Sequence, residues 1–172
     1  MPLALALQVQ PHLWNAHNER KEFEDSPHRD TSDIWVRYND LANLTQGYKK
    51  FTGEHDSVWH PAYYALPQLR PLIFSLMARC EAVRLGGVLI TRIPPGGHVL
   101  PHADAGWHPE YYNVKLYVPI LANPQCINRV EDEQVVMAPG ECWYFNNLKE
   151  HEVVNHGTTE RVTLIICLRC EG

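Results

Sequence analysis

A series of short, strand-like segments in the C-terminal half constrains the fold more than any other feature of this chain. They are apolar, rich in β-branched and aromatic residues, and separated by turn residues such as Pro94-Pro95-Gly96-Gly97. No helical periodicity interrupts them, which is typical of an antiparallel sandwich or jelly roll. We therefore predict a mainly β fold, a double-stranded β-helix of the jelly-roll or cupin type. The predicted strands span residues 87–93, 113–120, 134–138, 142–145, 151–155 and 161–168.

The first 85 residues follow a different pattern. We predict an early strand at 3–9, a second strand at 34–38, and a helix from Pro67 to Cys80 whose apolar residues recur at helical spacing. Such a helix can cover one face of a sheet. We expect residues 1–172 to form a single domain, with 1–85 as an N-terminal buttress of strand and helices and 86–170 as the jelly-roll catalytic core.

Composition restricts the classes of partner and the compartment. The formal net charge of −5 gives no general electrostatic attraction to nucleic acid or to anionic membranes. The apolar start, residues 1–9, is too short to span a bilayer and lacks the basic region of a signal peptide. Five irregularly spaced cysteines predict a reducing, cytoplasmic location. Cys167 and Cys170 have C-x-x-C spacing at the end of an apolar strand, which favours buried thiols over a zinc or redox pair.

The tripeptide His102-Ala103-Asp104 is the first candidate for chemistry. Alternate residues of a strand point to one face, so the imidazole and the carboxylate would reach the same point. A second histidine from a distant strand would complete a two-histidine, one-carboxylate triad, which suits non-haem Fe(II) and leaves positions open for co-substrate and oxygen. His28 and Asp30 have the same spacing but lie in a polar loop without a leading strand, and we favour the pair at 102 and 104.

The third ligand is either His151 or His156. His151 begins a strand directly after a tight connection, whereas His156 lies at a turn, where a solvated histidine is ordinary. A hairpin between the last two predicted strands would place Arg161 and Thr163 on the same face as His151. We therefore favour His151 as the ligand.

Arg161 lies at the start of an aliphatic strand, where burying a charge costs free energy unless an opposite charge or hydrogen bonds compensate it. A bidentate pair with the carboxylate of a ligand would satisfy its guanidinium, with Thr163 adding a hydroxyl. A salt bridge to an acidic residue of the core is the alternative. Lys115 and Tyr117 alternate on the strand at 113–120 and either line the same cavity or face solvent.

The segment IPPGGHVLPHAD, followed by KLYVPI and by APGECWYFNNLKEHEVVNHGTTERVTLII, resembles the aspartyl/asparaginyl β-hydroxylase family of Fe(II)- and 2-oxoglutarate-dependent oxygenases. The matching motifs are P-G-x-H-V-x-P-H, the G-x-x-x-x-F strand, H-E-V-x-N, and an arginine ten residues after that histidine. The resemblance covers roughly residues 85–170. It implies Fe(II), 2-oxoglutarate and O2 as the cofactor and co-substrates.

The resemblance also implies roles for particular residues. His102 and His151 would be iron ligands, and Arg161 would bind the C5 carboxylate of 2-oxoglutarate. Thr91 falls where the family places a small hydroxyl residue near the co-substrate, and Lys115 falls where it often places an arginine. Some members lack the carboxylate ligand. This chain retains Asp104, so it resembles the bacterial branch with a full triad, which includes enzymes acting on free amino acids, and differs from related halogenases.

We predict an Fe(II)- and 2-oxoglutarate-dependent dioxygenase that hydroxylates an amino acid or an Asp/Asn-like side chain of a peptide. Two alternatives are a cupin-type metal-binding protein or isomerase that does not use 2-oxoglutarate, and a non-catalytic relative. The predicted partner is a small molecule or peptide, without membrane or nucleic acid, and the sequence leaves the oligomeric state open. We expect Asn146, Asn147 or Glu150 to orient the histidines. The expected substrate contacts are Trp107, His108, Tyr111, Tyr112 and His156.

Overall fold

Two antiparallel sheets form the frame of the protein in a computed structural model that describes residues 1–22 and 25–171. The larger sheet has six strands in the order β2-β1-β3-β10-β5-β8, and the smaller has four in the order β4-β9-β6-β7. The predicted mainly β jelly roll is confirmed. The strands are β1 Ser32–Tyr38, β2 Val58–Trp59, β3 Ala82–Ile93, β4 His98–His102, β5 Val114–Leu121, β6 Cys126–Val130, β7 Glu133–Val135, β8 Trp143–Tyr144, β9 His151–Asn155 and β10 Arg161–Cys170.

Five helices accompany the sheets in the described part of the chain, and four of them precede β3. None of these helices is long and apolar enough to cross a membrane. The helices are α1 Leu3–Gln8, α2 Tyr48–Thr52, α3 Pro61–Ala65, α4 Leu69–Arg79 and α5 Trp107–Tyr111, and short 3-10 turns span Pro11–Leu13 and Leu41–Gln46.

The main hydrophobic core lies on the outer face of the six-stranded sheet. Strand β10 contributes Val162, Leu164 and Ile166 to this face, and each is at most 1% exposed. Leu69 and Ile73, one turn apart on α4, pack against the same core. Full burial of one such side chain contributes roughly 1.5–3 kcal/mol. The N-terminal helices therefore buttress the sheet as predicted, and the opposite face of β10 is left for the interior between the sheets.

The expected strand at residues 3–9 is wrong, because these residues form helix α1. The sequence LALALQ alternates in hydropathy, which favoured a strand, but leucine and alanine are also strong helix formers. In the helix, Ala6 and Leu7 reach the core while Leu5 stays exposed. Packing against the sheet decided between the two periodicities.

The C-terminal half also departs from the expected unbroken series of strands. Helix α5 separates β4 from β5, although the sequence between these strands shows no helical periodicity. Strand β6 was missed, and the strand expected at 134–138 ends at Val135. Short elements of five residues or fewer carry too little periodicity to be recognised against the turn residues around them.

The predicted hairpin between the last two strands is wrong as well. Strand β9 pairs with β4 and β6, while β10 pairs with β3 and β5 in the other sheet. The connection crosses from one sheet to the other around Asn155, which is fully buried. Its side-chain amide donates to the carbonyl oxygens of Pro94 at 3.0 Å and Thr159 at 2.9 Å, which fixes the crossing.

Gly86 gives the ring of Tyr112 room to lie directly on strand β3. A Cβ atom at this position would meet the ring at 2.7 Å, closer than real Cβ contacts allow. At the adjacent Gly87, the nearest atom would lie at an ordinary 3.4 Å. We expect Gly86→Ala to lower the free energy of unfolding by about 1–3 kcal/mol through overpacking, with a smaller change for Gly87→Ala. Urea denaturation of the two variants measures this, and equal stabilities would contradict it.

Candidate metal centre

Two histidines meet because their strands are neighbours in the smaller sheet. His102 ends β4 and His151 begins β9, and the two residues lie opposite each other in the antiparallel register. Their ring centroids are 4.3 Å apart. The register therefore brings together two imidazoles that lie far apart in the sequence, at the interior of the jelly roll.

Backbone carbonyl groups fix the tautomer of both rings. The Nδ1 atom of His102 lies 2.8 Å from the carbonyl oxygen of Leu100, and that of His151 lies 2.9 Å from the carbonyl oxygen of Lys149. A carbonyl oxygen only accepts, so each Nδ1 carries a proton, and in the neutral form of each ring the lone pair lies on Nε2. Nε2 of His102 is buried without a hydrogen-bond partner among the described residues. Both rings are thus prepared to donate a lone pair to a cation.

Asp104 supplies a carboxylate beside these nitrogens. Its Oδ2 atom accepts from Lys115 Nζ at 2.5 Å and from Asn147 Nδ2 at 2.7 Å, while Oδ1 lies 3.4 Å from Nε2 of His102. Burial raises the pKa of Asp104, but the Lys115 ammonium and the hydrogen bonds outweigh it and hold the pKa well below its usual range. The carboxylate is therefore ionised, with Oδ1 turned towards the histidines.

The three side chains form a group that can hold a metal ion. One donor atom from each of His102, Asp104 and His151 lies within 4.8 Å of the others. No other group of this kind is found in residues 1–22 and 25–171. Two neutral imidazoles and one carboxylate fit a divalent metal, because the charge is partly neutralised and three donors leave coordination positions open.

A cavity of about 520 Å³ opens in front of this group, between the two sheets. The interior face of β10 borders it through Arg161, Ile165 and Cys167, and Lys115 and Tyr117 border it from β5. Strand alternation places these residues on the face opposite the hydrophobic core. Lys115 and Tyr117 therefore line the cavity rather than facing solvent, and Cys167 is a free, buried thiol whose burial raises its pKa to about 11.

Arg161 is a buried cation with no carboxylate partner among the described residues. Its side chain donates to Asn128 Oδ1 at 2.9 Å and lies 3.9 Å from the sulfur of Met137. The residue is only 4% exposed, and burial lowers the pKa of its guanidinium. The alternative of a salt bridge within the core has no acidic partner in residues 1–22 and 25–171. A buried guanidinium on a cavity wall would be stabilised by an anionic ligand.

The hydroxyl groups near Arg161 have different surroundings. Thr163 is fully buried, with a hydroxyl that has no partner in the described part of the protein. Thr91 lies opposite it on β3 and borders the cavity, but its hydroxyl donates to Asp33 at 2.8 Å. The Tyr117 hydroxyl is also unpartnered, and burial raises its pKa to about 12. Thr163 does not border the cavity and Thr91 is already engaged, so Tyr117 is the hydroxyl of the three that lines the cavity without a hydrogen-bond partner among the described residues.

The profile of the aspartyl/asparaginyl β-hydroxylase family matches residues 11–169. The chain belongs to this family. The match extends well beyond the segment that carried the resemblance, and includes strand β1 and helices α2, α3 and α4. Membership in this β-hydroxylase family supports a hydroxylase or oxygenase activity.

Comparison with solved structures finds similarity to the following proteins. A Burkholderia pseudomallei oxidoreductase of the 2OG-Fe(II) oxygenase family is 12% identical, with a TM-score of 0.56, and the match covers 81% of this chain and 67% of that chain. A cupin domain from Bordetella pertussis Tohama I is 22% identical, with a TM-score of 0.40, covering 51% of this chain and 84% of that one. A predicted oxalate decarboxylase from Thermotoga maritima is 17% identical, with a TM-score of 0.40, covering 56% and 73%. A comparison with curated proteins finds no match.

The rival candidate ligands are not members of the metal group. The His28 ring packs edge-on against His102 with centroids 5.2 Å apart, and burial holds the His28 pKa well below its usual range. Asp30 points elsewhere, to His98 Nδ1 at 2.9 Å. His156 is exposed at the turn after β9 and does not border the cavity. His28 is therefore a neighbour of the site, although the sequence singled it out only as a rival.

Only two of the five expected substrate contacts border the cavity. His108 and Tyr112 line it, whereas Trp107 and Tyr111 stack on each other outside it, with ring centroids 5.1 Å apart. Residues four apart share a helix face, so α5 turns one pair inward and the other outward. Burial, together with nearby His55, lowers the pKa of His108 to about 4, which leaves this ring neutral at physiological pH.

The residues that orient the metal group differ from those expected. Asn147 bonds the carboxylate rather than a histidine, and Glu150 pairs on the rim with Arg129 at 3.0 Å. Sequence reasoning missed Asn128 because β6 was missed, and it missed Arg20, which also borders the cavity. Arg20 lies in a loop without periodicity, so no sequence signal indicated it.

Lys115→Met removes the ammonium that meets Asp104. The carboxylate would then keep one hydrogen bond, from Asn147, in a buried setting that favours its neutral form. We expect affinity for Mn(II) to fall by about 10- to 100-fold, as for other outer-shell partners of metal ligands. Calorimetric titration measures this, with Lys50→Met on the exposed face of α2 as the matched control. Equal affinity in both variants would contradict the role of Lys115.

Proposed function

We propose that this β-hydroxylase is an Fe(II)- and 2-oxoglutarate-dependent dioxygenase that hydroxylates an amino acid or an Asp/Asn-like side chain of a peptide. His102, Asp104 and His151 would hold the iron. Arg161 would bind the distal carboxylate of 2-oxoglutarate. When bound, iron and 2-oxoglutarate together supply the activation of dioxygen that hydroxylation requires.

The observation that carries the proposal is the presence in one cavity of an open metal-binding group and a buried arginine that has no carboxylate partner among the described residues. A metal-binding protein that uses no diacid co-substrate would not need a buried arginine in this cavity. The guanidinium fork of Arg161 matches a carboxylate in two parallel hydrogen bonds. The hydroxyl of Tyr117, which lines the cavity and is unpartnered among the described residues, would add a hydrogen bond to that carboxylate.

The rest of the chain orients the reactants and excludes water. Lys115 and Asn147 keep the Asp104 carboxylate ionised and fix its orientation. The backbone carbonyl groups of Leu100 and Lys149 fix the orientation of the two histidine rings. The cavity of about 520 Å³ falls within the range of pockets for small-molecule ligands and exceeds what a five-carbon diacid fills. We infer that a small substrate, or one side chain of a peptide, enters beside the co-substrate.

Succinate formation from 2-oxoglutarate, measured with Fe(II) in air across amino acids and peptides, tests the function. We expect succinate to form with at least one panel member, in equal amount to a product heavier by one oxygen. A panel without turnover, together with absent anaerobic binding of 2-oxoglutarate to the Fe(II) protein, would favour a metal protein of the cupin type instead.

A further inference from the structure

A second arginine, Arg20, borders the cavity from the loop that precedes β1. Its side chain is 14% exposed, and its nearest carboxylate is Asp33, whose Oδ2 atom lies 3.6 Å from Nε. The charged and titratable groups that interact with it electrostatically include Asp33, Tyr38, Asp104, Cys167 and His28. The described residues form no hydrogen bond with its two terminal nitrogens, so that edge of the guanidinium fork is open.

The sheet fixes the position of Asp33. This residue lies opposite Thr91 in the β1–β3 register, and its Oδ1 atom accepts the Thr91 hydroxyl at 2.8 Å. Asp33 is 1% exposed, and Oδ2 has no hydrogen bond in the described part of the chain. The buried carboxylate of Asp33 neutralises the charge of Arg20 and fixes the orientation of its side chain. Because Asp33 contacts only Nε, the two terminal nitrogens can still bind another carboxylate through two parallel hydrogen bonds.

Arg20 and Arg161 serve different parts of the cavity. Arg161 lies among Asn128, Met137 and the titratable groups of Cys126 and Tyr117. None of these is among the groups that surround Arg20. Arg20 interacts electrostatically with Asp104 and His28, and the His28 ring packs edge-on against His102 with centroids 5.2 Å apart, so this arginine lies on the metal-group side of the cavity. The cavity thus offers two separate positions for an anion.

We propose that Arg20 binds a carboxylate of the primary substrate, and that Asp33 is the residue that positions Arg20 for this role. The inference rests on the proposed function, in which the other anion position, at Arg161, belongs to 2-oxoglutarate. The neighbouring walls carry Tyr38, His108 and Tyr112, which offer rings and neutral imidazole to the rest of the molecule. The substrate class is therefore a small carboxylate with an apolar or uncharged remainder, as in many free amino acids.

Binding without turnover tests the proposal. The Zn(II)-loaded protein with 2-oxoglutarate is screened by saturation-transfer NMR against the proteinogenic L-amino acids and the α-carboxamide of each one that binds. We expect at least one amino acid to bind, and its carboxamide to bind at least about tenfold more weakly. Arg20→Met should weaken binding of the acid to the same extent while changing the affinity for 2-oxoglutarate by less than about twofold.

Matched variants keep the outcome interpretable. Arg70→Met removes an exposed guanidinium from α4 and should bind like the wild type. Asp33→Asn should weaken binding of the acid by releasing Arg20. If circular dichroism shows that Arg20→Met does not fold, Arg20→Lys takes its place, and we expect an intermediate loss because an ammonium cannot form the two parallel hydrogen bonds.

Several results would overturn the assignment of Arg20. The first is that wild type and the Arg20 variants bind the acid equally, and the second is that the acid and its carboxamide bind equally. The third is that the Arg20 variants lose affinity only for 2-oxoglutarate. The fourth is that the 2-oxoglutarate-bound protein binds no amino acid. If instead the wild type binds an amino acid through Arg20 but does not bind 2-oxoglutarate, the proposed function fails and the Arg20 site stands.

Discussion

Replacing His102 or His151 with alanine should abolish metal binding while leaving the protein folded. Each variant removes one of three protein donors, and even the loss of an outer-shell partner typically weakens metal binding by about 10- to 100-fold. We therefore expect affinity for Mn(II) or Fe(II) to fall by more than about 100-fold in each variant. Turnover should be lost with it. The two residues lie at the ends of their strands and outside the main core, so the far-ultraviolet circular-dichroism spectrum should be unchanged.

His156→Ala is the matched control for this experiment. His156 follows the same strand, β9, but is exposed and does not border the cavity. It should bind metal like the wild type. Metal content after dialysis and calorimetric titration measure the effect. Wild-type metal affinity in both His102→Ala and His151→Ala would remove the proposed ligands, and a loss of folded structure in both would indicate a structural role for the histidines.

The metal group could be predicted because its geometry is nearly local. Strand alternation predicts that His102 and Asp104 reach the same point, and the two side chains do meet, although β4 ends at His102 and Asp104 lies in the loop after it. Strand positions also singled out Arg161, since a charged residue among aliphatic neighbours needs a partner. These arguments need only the period of a strand and the cost of burying a charge, and both can be evaluated from the sequence.

Contacts between distant elements could not be predicted in the same way. The period of β10 is the same whether it pairs with β9 or with β3 and β5. The choice depends on the crossing held by Asn155, whose partners are backbone carbonyls. The link between Lys115 and Asp104 joins a strand to a loop, and spacing carries no information about it. Helix α1 shows the same limit, because packing rather than propensity decided its conformation.

Replacing Arg161 with alanine should leave the metal group intact but raise the dissociation constant for 2-oxoglutarate steeply. Truncating one partner of a buried, charge-assisted pair costs roughly 2–5 kcal/mol, which corresponds to about 30-fold to several-thousand-fold in affinity. Mn(II) affinity should stay unchanged, since Arg161 is not among the donors of the metal group. Anaerobic titration of the Fe(II) protein with 2-oxoglutarate, followed through the metal-to-ligand charge-transfer absorption, measures the co-substrate affinity directly.

Two further variants separate the shape of the guanidinium from its charge. Arg161→Lys keeps the positive charge but has only a point-like ammonium, so it should recover part of the lost affinity. Arg92→Ala removes an arginine from the neighbouring strand β3, where the side chain lies over Trp14 and near Glu160, away from the cavity. It should bind 2-oxoglutarate like the wild type. An unchanged binding curve for Arg161→Ala would leave the buried guanidinium without a ligand. The metal group would then be as consistent with a cupin that uses no co-substrate as with an oxygenase.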